Sequence, residues 1–312
     1  MNVPVLSPVP AGPTVACAGP AARFVIARTL RRLRHDAHLT QSQLARAIGV
    51  SPATVHRYEM WQDIRNYTRD TVLALAAVCG ASPADQRCLA ELVEGQNDGW
   101  WSQAELPAHQ RPLLSFEAAA RHVRLYSGGV VPELLQTRRY ALALRGDPGP
   151  GRPCAPCDDA DSARRRRLTV LSRRSFRLVV VLDEGVLRRV VGGREVMVEQ
   201  CDRLMALAYT GNVELRILPF GAGVQPTATC GPFEIVTWED AFDAPRSQAV
   251  VYQQHLRGGT YLDEWDDIDA YERAFTELRA HATDHATTTR TLASARQHFR
   301  RLVDAAGRPQ AS

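Results

Sequence analysis

Between positions 51 and 57, five residues fall on the outward side of one short helical stretch: Ser51, Ala53, Thr54, His56 and Arg57. Val55 and Tyr58, three apart, take the opposite side. A face of this kind reads hydrogen-bonding edges; it carries no bond-breaking set. The Arg57 guanidinium matches the paired acceptors of a guanine edge, and Thr54 suits a thymine methyl or a phosphate. Gln41 stands at the start of the preceding helix, placed to bond a backbone phosphate or to brace the helix that follows. Arg31, further upstream, is a candidate phosphate neighbour. The plain alternative is a set of ordinary solvated residues on a helical bundle.

Other residue types with chemical capacity are scattered. Arg164 to Arg167 form four consecutive cations that splay over every face of a helix, which reads as a solvated surface with some partner-facing members. Cys154 and Cys157 make a lone C-x-x-C with no second pair at zinc-site spacing. His281 and His285 would share a helix face if the last helix continued that far, but no glutamate stands beside the first histidine. Asp183, Glu184, Glu195, Glu239 and Asp240 lie near strand ends, where carboxylates cap turns more often than they transfer protons. The glycines at 192, 193, 221 and 223 follow no phosphate-binding fingerprint and read as turns. Trp100, Trp101, Phe116 and Tyr126 read as core, with a ligand-lining role open. No catalytic residue, cofactor or metal ligand is assigned.

Two short helices and a tight turn must position the first group, over residues 39–58. Thr40 is an N-cap with Gln43 in capping-box spacing. Leu44, Ala45 and Ile48 form an apolar face, Gly49 occupies the turn, and Ser51-Pro52 opens the second helix by the cap-then-proline signal. This is the pattern of a DNA-binding helix-turn-helix, which implies double-stranded DNA as partner. A helix over residues 24–36 precedes it, with Ile26, Leu30 and Leu33 buried and Arg28, Arg31, Arg32 and Arg34 on other faces. Two more, over residues 71–79 and from Ser82-Pro83 onward, complete a five-helix unit.

The 312 residues suggest two domains. Net charge is only +4, yet nine arginines face Asp36, Glu59 and Asp63 between residues 23 and 69, a local excess that suits phosphate contact. Seven cysteines at irregular spacing read as reduced thiols, and no apolar run is long enough to span a membrane, so the cytoplasm is the expected compartment. The expected order is a disordered leader (1–20), an all-α headpiece (21–95), an α+β regulatory or assembly domain (99–290), and a C-terminal helix and tail (291–312). Residues 95–99 read as a linker and 146–159 as a flexible excursion. In the second domain the spacing predicts a helix over 112–127 and a short one through 140–144. Strands are predicted over 178–182, 213–218, 233–238 and 249–253, with helices over 195–209 and 268–281.

The headpiece residues resemble the Cro-like (xenobiotic-response-element type) helix-turn-helix regulators. The remainder is similar to the uncharacterised C-terminal domain that follows this headpiece in many actinobacterial transcriptional regulators. The likeness is carried by residues 39–58, Gly99-Trp100-Trp101, Phe116-Glu117-Ala118-Ala119-Ala120, Val131-Pro132-Glu133-Leu134-Leu135-Gln136-Thr137, and the segments 182–189, 192–197 and 218–223. His38 and Glu133 stand where the family usually has glycine. The resemblance implies a DNA-binding regulator, often beside a small partner protein, and supplies no established ligand or reaction. A homodimer is expected, because one helix-turn-helix reads only a few base pairs. A small-molecule ligand or small partner protein is the expected occupant of the second domain. The alternatives are a biosynthetic enzyme with a vestigial headpiece and a scaffold that sequesters a partner.

Overall fold

The computed structural model describes residues 18–62, 66–96, 99–102, 107–146, 157–223, 230–238 and 248–306. The chain divides into two compact units, Met1–Gly99 with Trp238–Gln248, and Trp100–Thr237 with Ala249–Ser312. It is multidomain, an all-α headpiece followed by an α+β domain. Residues 1–17 of the leader expected over 1–20, Cys154, Glu239, Asp240 and the tail after Ala306 lie outside the described residues, and Pro20 already opens the first helix. No helix among the described residues is long and apolar enough to cross a membrane.

The first unit holds five helices: α1 (Pro20–Asp36), α2 (Gln41–Ile48), α3 (Pro52–Tyr58), α4 (Arg69–Val78) and α5 (Pro83–Gly95). Phe24, Ile26, Leu44, Val55, Leu75 and Leu89 are all at most 2% exposed and make its core. Ser82 and Asp85 form a reciprocal capping box that starts α5. Gln96, which reads as linker in the sequence, is instead buried at the end of α5. It accepts from Tyr67 N at 2.5 Å and donates to Tyr67 O and Val93 O, both at 2.8 Å, clipping the approach to α4 onto α5.

The second unit is built on a six-stranded mixed sheet in the order β3-β2-β1-β4-β5-β6. Its strands are β1 (His122–Ser127), β2 (Arg177–Asp183), β3 (Val213–Leu218), β4 (Phe233–Thr237), β5 (Ala249–His255) and β6 (Gly258–Leu262). β1 runs parallel to β2 and antiparallel to β4. Around the sheet lie α6 (Arg111–Ala119), α7 (Arg138–Leu144), α8 (Cys157–Leu168), α9 (Glu184–Arg188), α10 (Arg194–Ala208), α11 (Trp265–His281) and α12 (His285–Ala306). One face packs Tyr126, Val181, Phe233, Ile235 and Val251 against Ile268, Phe275 and Leu278 of α11. By the period of two, the other face carries Leu125, Glu234, Tyr252 and Tyr261, which the pairing places in adjacent strands.

One expectation is corrected here, and one strand is new. The helix predicted over 112–127 ends at Ala119. Ala120 turns extended, with ψ 146°, and the next residues become the strand between β2 and β4. Val123 and Leu125 fit either period, and sheet pairing decides between them. β6 has no signal in the sequence because it opens on two glycines. Gly259 nonetheless has a reason: a Cβ there would lie 2.7 Å from the Tyr252 hydroxyl. The helix predicted over 268–281 forms as α11 and ends at His281, so it does not reach His285. Ala282 is extended, Thr283 N donates to Ile217 O at 2.8 Å, and Asp284 caps the new helix α12 through Thr287 N.

Candidate functional site

The helix-turn-helix forms for local reasons that the residues set. Thr40 accepts from Gln43 N while the Gln43 side chain accepts from Thr40 N at 2.9 Å, so both orphan donors at the start of α2 are satisfied. Gly49 takes φ 73°, the left-handed value that ends a helix at little cost to glycine. Ser51 accepts from Thr54 N at 3.1 Å and starts α3. Val55 and Tyr58 are buried and fix the roll of α3 on its neighbours. Tyr58 is held further by its hydroxyl on Thr68 at 3.0 Å and its ring on Tyr67 at 5.3 Å. Ile48 is only half-buried, so Leu44 and Ala45 carry the helix crossing.

With that roll fixed, Ser51, Ala53, His56 and Arg57 are exposed on α3 and Thr54 is half-buried, its hydroxyl 3.0 Å from that of Ser51. The helix therefore presents a short donor- and acceptor-bearing face with no apolar bulk, as base-edge reading requires. Arg31 is half-buried on α1. His38 has φ 54°, which accounts for glycine at that place in the resembling family: the chain must enter the left-handed region before α2.

Two headpiece residues behave differently from their reading in the sequence. Arg34 does not lie on a face open to phosphate or water. Its guanidinium grips Glu59 with Nε on Oε1 at 2.5 Å and a terminal nitrogen on Oε2 at 2.9 Å, and its other arm donates to Leu39 O at 2.8 Å. Gln41 donates from Nε2 to Glu59 Oε2 at 2.8 Å. Of its two readings, the brace is the one the geometry builds. The cluster ties the end of α1, the start of α2 and the end of α3 into one frame. Glu59 caps α3, so a carboxylate one residue past the recognition stretch was the available signal.

The second unit contains a second charge cluster, which sequence reasoning missed. Arg167 of α8 forms a bidentate pair with Glu117 of α6, Nε and a terminal nitrogen each 2.6 Å from the carboxylate, and bonds Glu133 with its remaining arm. Glu117 is only 1% exposed and the Arg167 side chain 11%. Arg164, three residues earlier on the same face, donates to Gln136 O. The arginine run thus divides: Arg164 and Arg167 point inward, where the sequence reads as a solvated surface with some partner-facing members, and Arg165 and Arg166 are exposed. Burial works against the Arg167 charge, but Glu117 and Glu133 outweigh it and hold its pKa above the ordinary value.

Glu234, opposite Leu125 and Tyr252 in the sheet, hydrogen-bonds Glu117. Burial raises its pKa well above 4.5, the charge of Glu117 adds to the rise, and Arg167 opposes it. A raised folded pKa means stability that is present below the ordinary value and lost as pH climbs through the folded one. Glu234→Gln, which keeps the shape and cannot ionise, is expected to flatten that loss. Its stability relative to the parent should grow by up to about 1.4 kcal/mol per pH unit above pH ~5. Urea melts from about pH 5 to pH 9 check this; parallel curves for the two proteins would refute it.

The remaining candidates resolve as caps and turns. Asp183 accepts from Gly185 N at 2.7 Å, Glu184 pairs with Arg188 at 2.9 Å, and Glu195 pairs with Arg139 at the surface. His281 and His285 fall in different helices, and His285 packs on Tyr209 instead. Cys157 begins α8, without its partner among the described residues. No group of three or more His, Cys, Asp and Glu among the described residues is arranged to hold a metal ion. Trp101, Phe116 and Tyr126 are core, and Tyr126 also lines a cavity.

Comparison with known proteins agrees with this division. Residues 25–89 match the model of a family described as a helix-turn-helix domain, a DNA-binding module. No curated protein and no solved structure matches the chain. Residues 110–294, more than half of the sequence, match the model described as a domain of unknown function, DUF5753, and the protein belongs to that family.

Proposed function

We infer that this protein is a sequence-specific, DNA-binding transcriptional regulator of the Cro-like type, acting in the cytoplasm as a homodimer. The observation that carries the reading is the exposed face of α3, with Ala53, His56 and Arg57 outward while Val55 and Tyr58 lock the helix from behind. Arg57 reads a guanine, Thr54 and Ser51 stand beside the phosphate track, and Arg31 adds to the positive field. Gln41 acts through Glu59, by holding α2 to α3. The domain over 99–290 senses a ligand or binds a small partner protein, and the headpiece spans 21–95.

Genomic footprinting of the tagged protein tests the reading, and absence of any enriched site under several growth conditions would remove it. On the site so found, Arg57→Ala is expected to cost about 1–3 kcal/mol and relax preference at one base pair. Arg31→Ala should weaken all sequences alike and lower the salt slope by roughly one. Titrations on cognate and scrambled duplexes at several salt concentrations separate the two. Light scattering, free and on DNA, tests the dimer, and a monomer in both would end that part of the proposal.

A further inference from the structure

The second unit carries a half-open cavity of about 450 Å³, well inside the range of small-molecule sites, about 300–1,000 Å³. Leu125, Val131, Leu144 and Phe233 supply apolar wall, and Glu133, Glu234 and Tyr252 lie among its polar groups. Two of those groups are unusual. Glu234 is 5% exposed and its Oε1 has no hydrogen-bond partner; Tyr252 is 4% exposed and its hydroxyl has none either. Native structures pair nearly all buried polar atoms, so two orphaned atoms on residues that line one cavity mark a place where a polar group of an occupant, or water in its stead, pairs them. The two residues lie directly opposite each other in β4 and β5, which makes them one polar spot rather than two.

The charge balance says which occupant. Three carboxyl groups, Glu117, Glu133 and Glu234, surround one guanidinium, and Arg167 already uses its fork on Glu117 and its other arm on Glu133. With all three ionised the cluster carries two negative charges in excess. Arg145 also lines the cavity, but it is exposed, where water screens its charge. Among the described residues of its lining, no second buried cation is present. We propose that the cavity binds an organic monocation with an apolar body, an arylalkylammonium or a related amine. Its charged head pairs with Glu234 and Tyr252, and its body lies along Leu125, Val131 and Phe233. This rests on the reading of the C-terminal domain as a sensor and names the class of ligand sensed.

Binding is coupled to a proton. Glu117 from α6, Glu133 beside α7, Arg167 from α8, Tyr252 from β5 and Tyr261 from β6 face Glu234, and only Arg167 among them is cationic. Without a second cation, burial and the Glu117 charge favour the neutral form of Glu234. When the ammonium arrives, the Glu234 carboxyl gives its proton to solvent and the carboxylate pairs with the cation. A neutral acid and a cation become an ion pair and a free proton, so charge balances. Affinity for the amine therefore rises with pH until the amine itself deprotonates.

Calorimetric titration of the full chain tests this, with phenethylamine, tryptamine and diphenylpropylamine as probes and phenylpropionate and phenethyl alcohol as matched controls. Runs in two buffers of different ionisation enthalpy count the protons released. At least one amine is expected to bind with release of close to one proton, and the carboxylate and alcohol are expected not to bind. Glu234→Gln should weaken that amine by about thirtyfold or more and abolish the proton release, while melting of the variant shows that it is folded. If no amine binds, if the carboxylate or alcohol binds as well, or if Glu234→Gln keeps the parent's affinity, the proposal is overturned. Footprinting on the same preparation keeps the two readings apart. A chain that binds DNA and no amine loses only the pocket, and one that binds amine and no DNA loses only the regulator.

Discussion

Replacing Glu59 with alanine will cost the headpiece about 3–5 kcal/mol of stability, because it leaves the buried Arg34 guanidinium without its counter-charge. The Glu59 side chain is 5% exposed and that of Arg34 11%, so water cannot take over the lost bonds. The loss extends to Gln41, which donates to the same carboxylate. Since a small domain is held by only about 5–15 kcal/mol in all, the variant should populate open states detectably. Amide hydrogen exchange over residues 34–59 is the direct readout, with peptides of the second unit as internal reference. The paired change Arg34→Met with Glu59→Leu should recover most of the loss, since a buried pair replaced by apolar residues of similar size is often neutral. If Glu59→Ala loses less than about 1 kcal/mol, the frame is held elsewhere.

The headpiece was legible in the sequence because its determinants are local. Thr40, Gln43, Gly49, Ser51 and Pro52 act within a turn of where they stand, and each adopts the expected geometry. What failed was long-range. Arg34 and Glu59 are 25 residues apart, and nothing in a helical period distinguishes an arginine that meets a carboxylate from one that meets water. The same limit explains the second unit. Glu117, Glu133, Arg167 and Glu234 come from four separate segments, and only the sheet and its flanking helices bring them together. Two signals were nevertheless present: a glutamate inside the apolar strand over 233–237, and Glu133 where the resembling family has glycine. β1 went unread because a central strand is decided by its neighbours, which lie 55 residues downstream in β2 and more than 100 in β4.

Arg167→Met tests that second cluster at its most sensitive point, with an expected loss of about 3–5 kcal/mol in the C-terminal unit. Removing the guanidinium leaves Glu117, 1% exposed, facing Glu133 and Glu234 with no cation between them. Repulsion among the three favours their neutral forms, so the penalty should grow with pH: mild near pH ~5 and largest above pH ~8. Arg167→Lys is expected to rescue little, since one ammonium cannot reproduce the fork that spans both Glu117 oxygens while a third nitrogen reaches Glu133. Adding Glu117→Gln to Arg167→Met should return part of the loss, because it removes the most deeply buried of the uncompensated charges. Hydrogen exchange in peptides from α6, β1 and β4, followed from about pH 5 to pH 8, reads the effect in this unit alone. If Arg167→Met exchanges like the parent at both ends of that range, the carboxylates are balanced by something other than Arg167. The charge excess assigned to the cavity would then be gone, leaving burial as the cause that favours neutral Glu234.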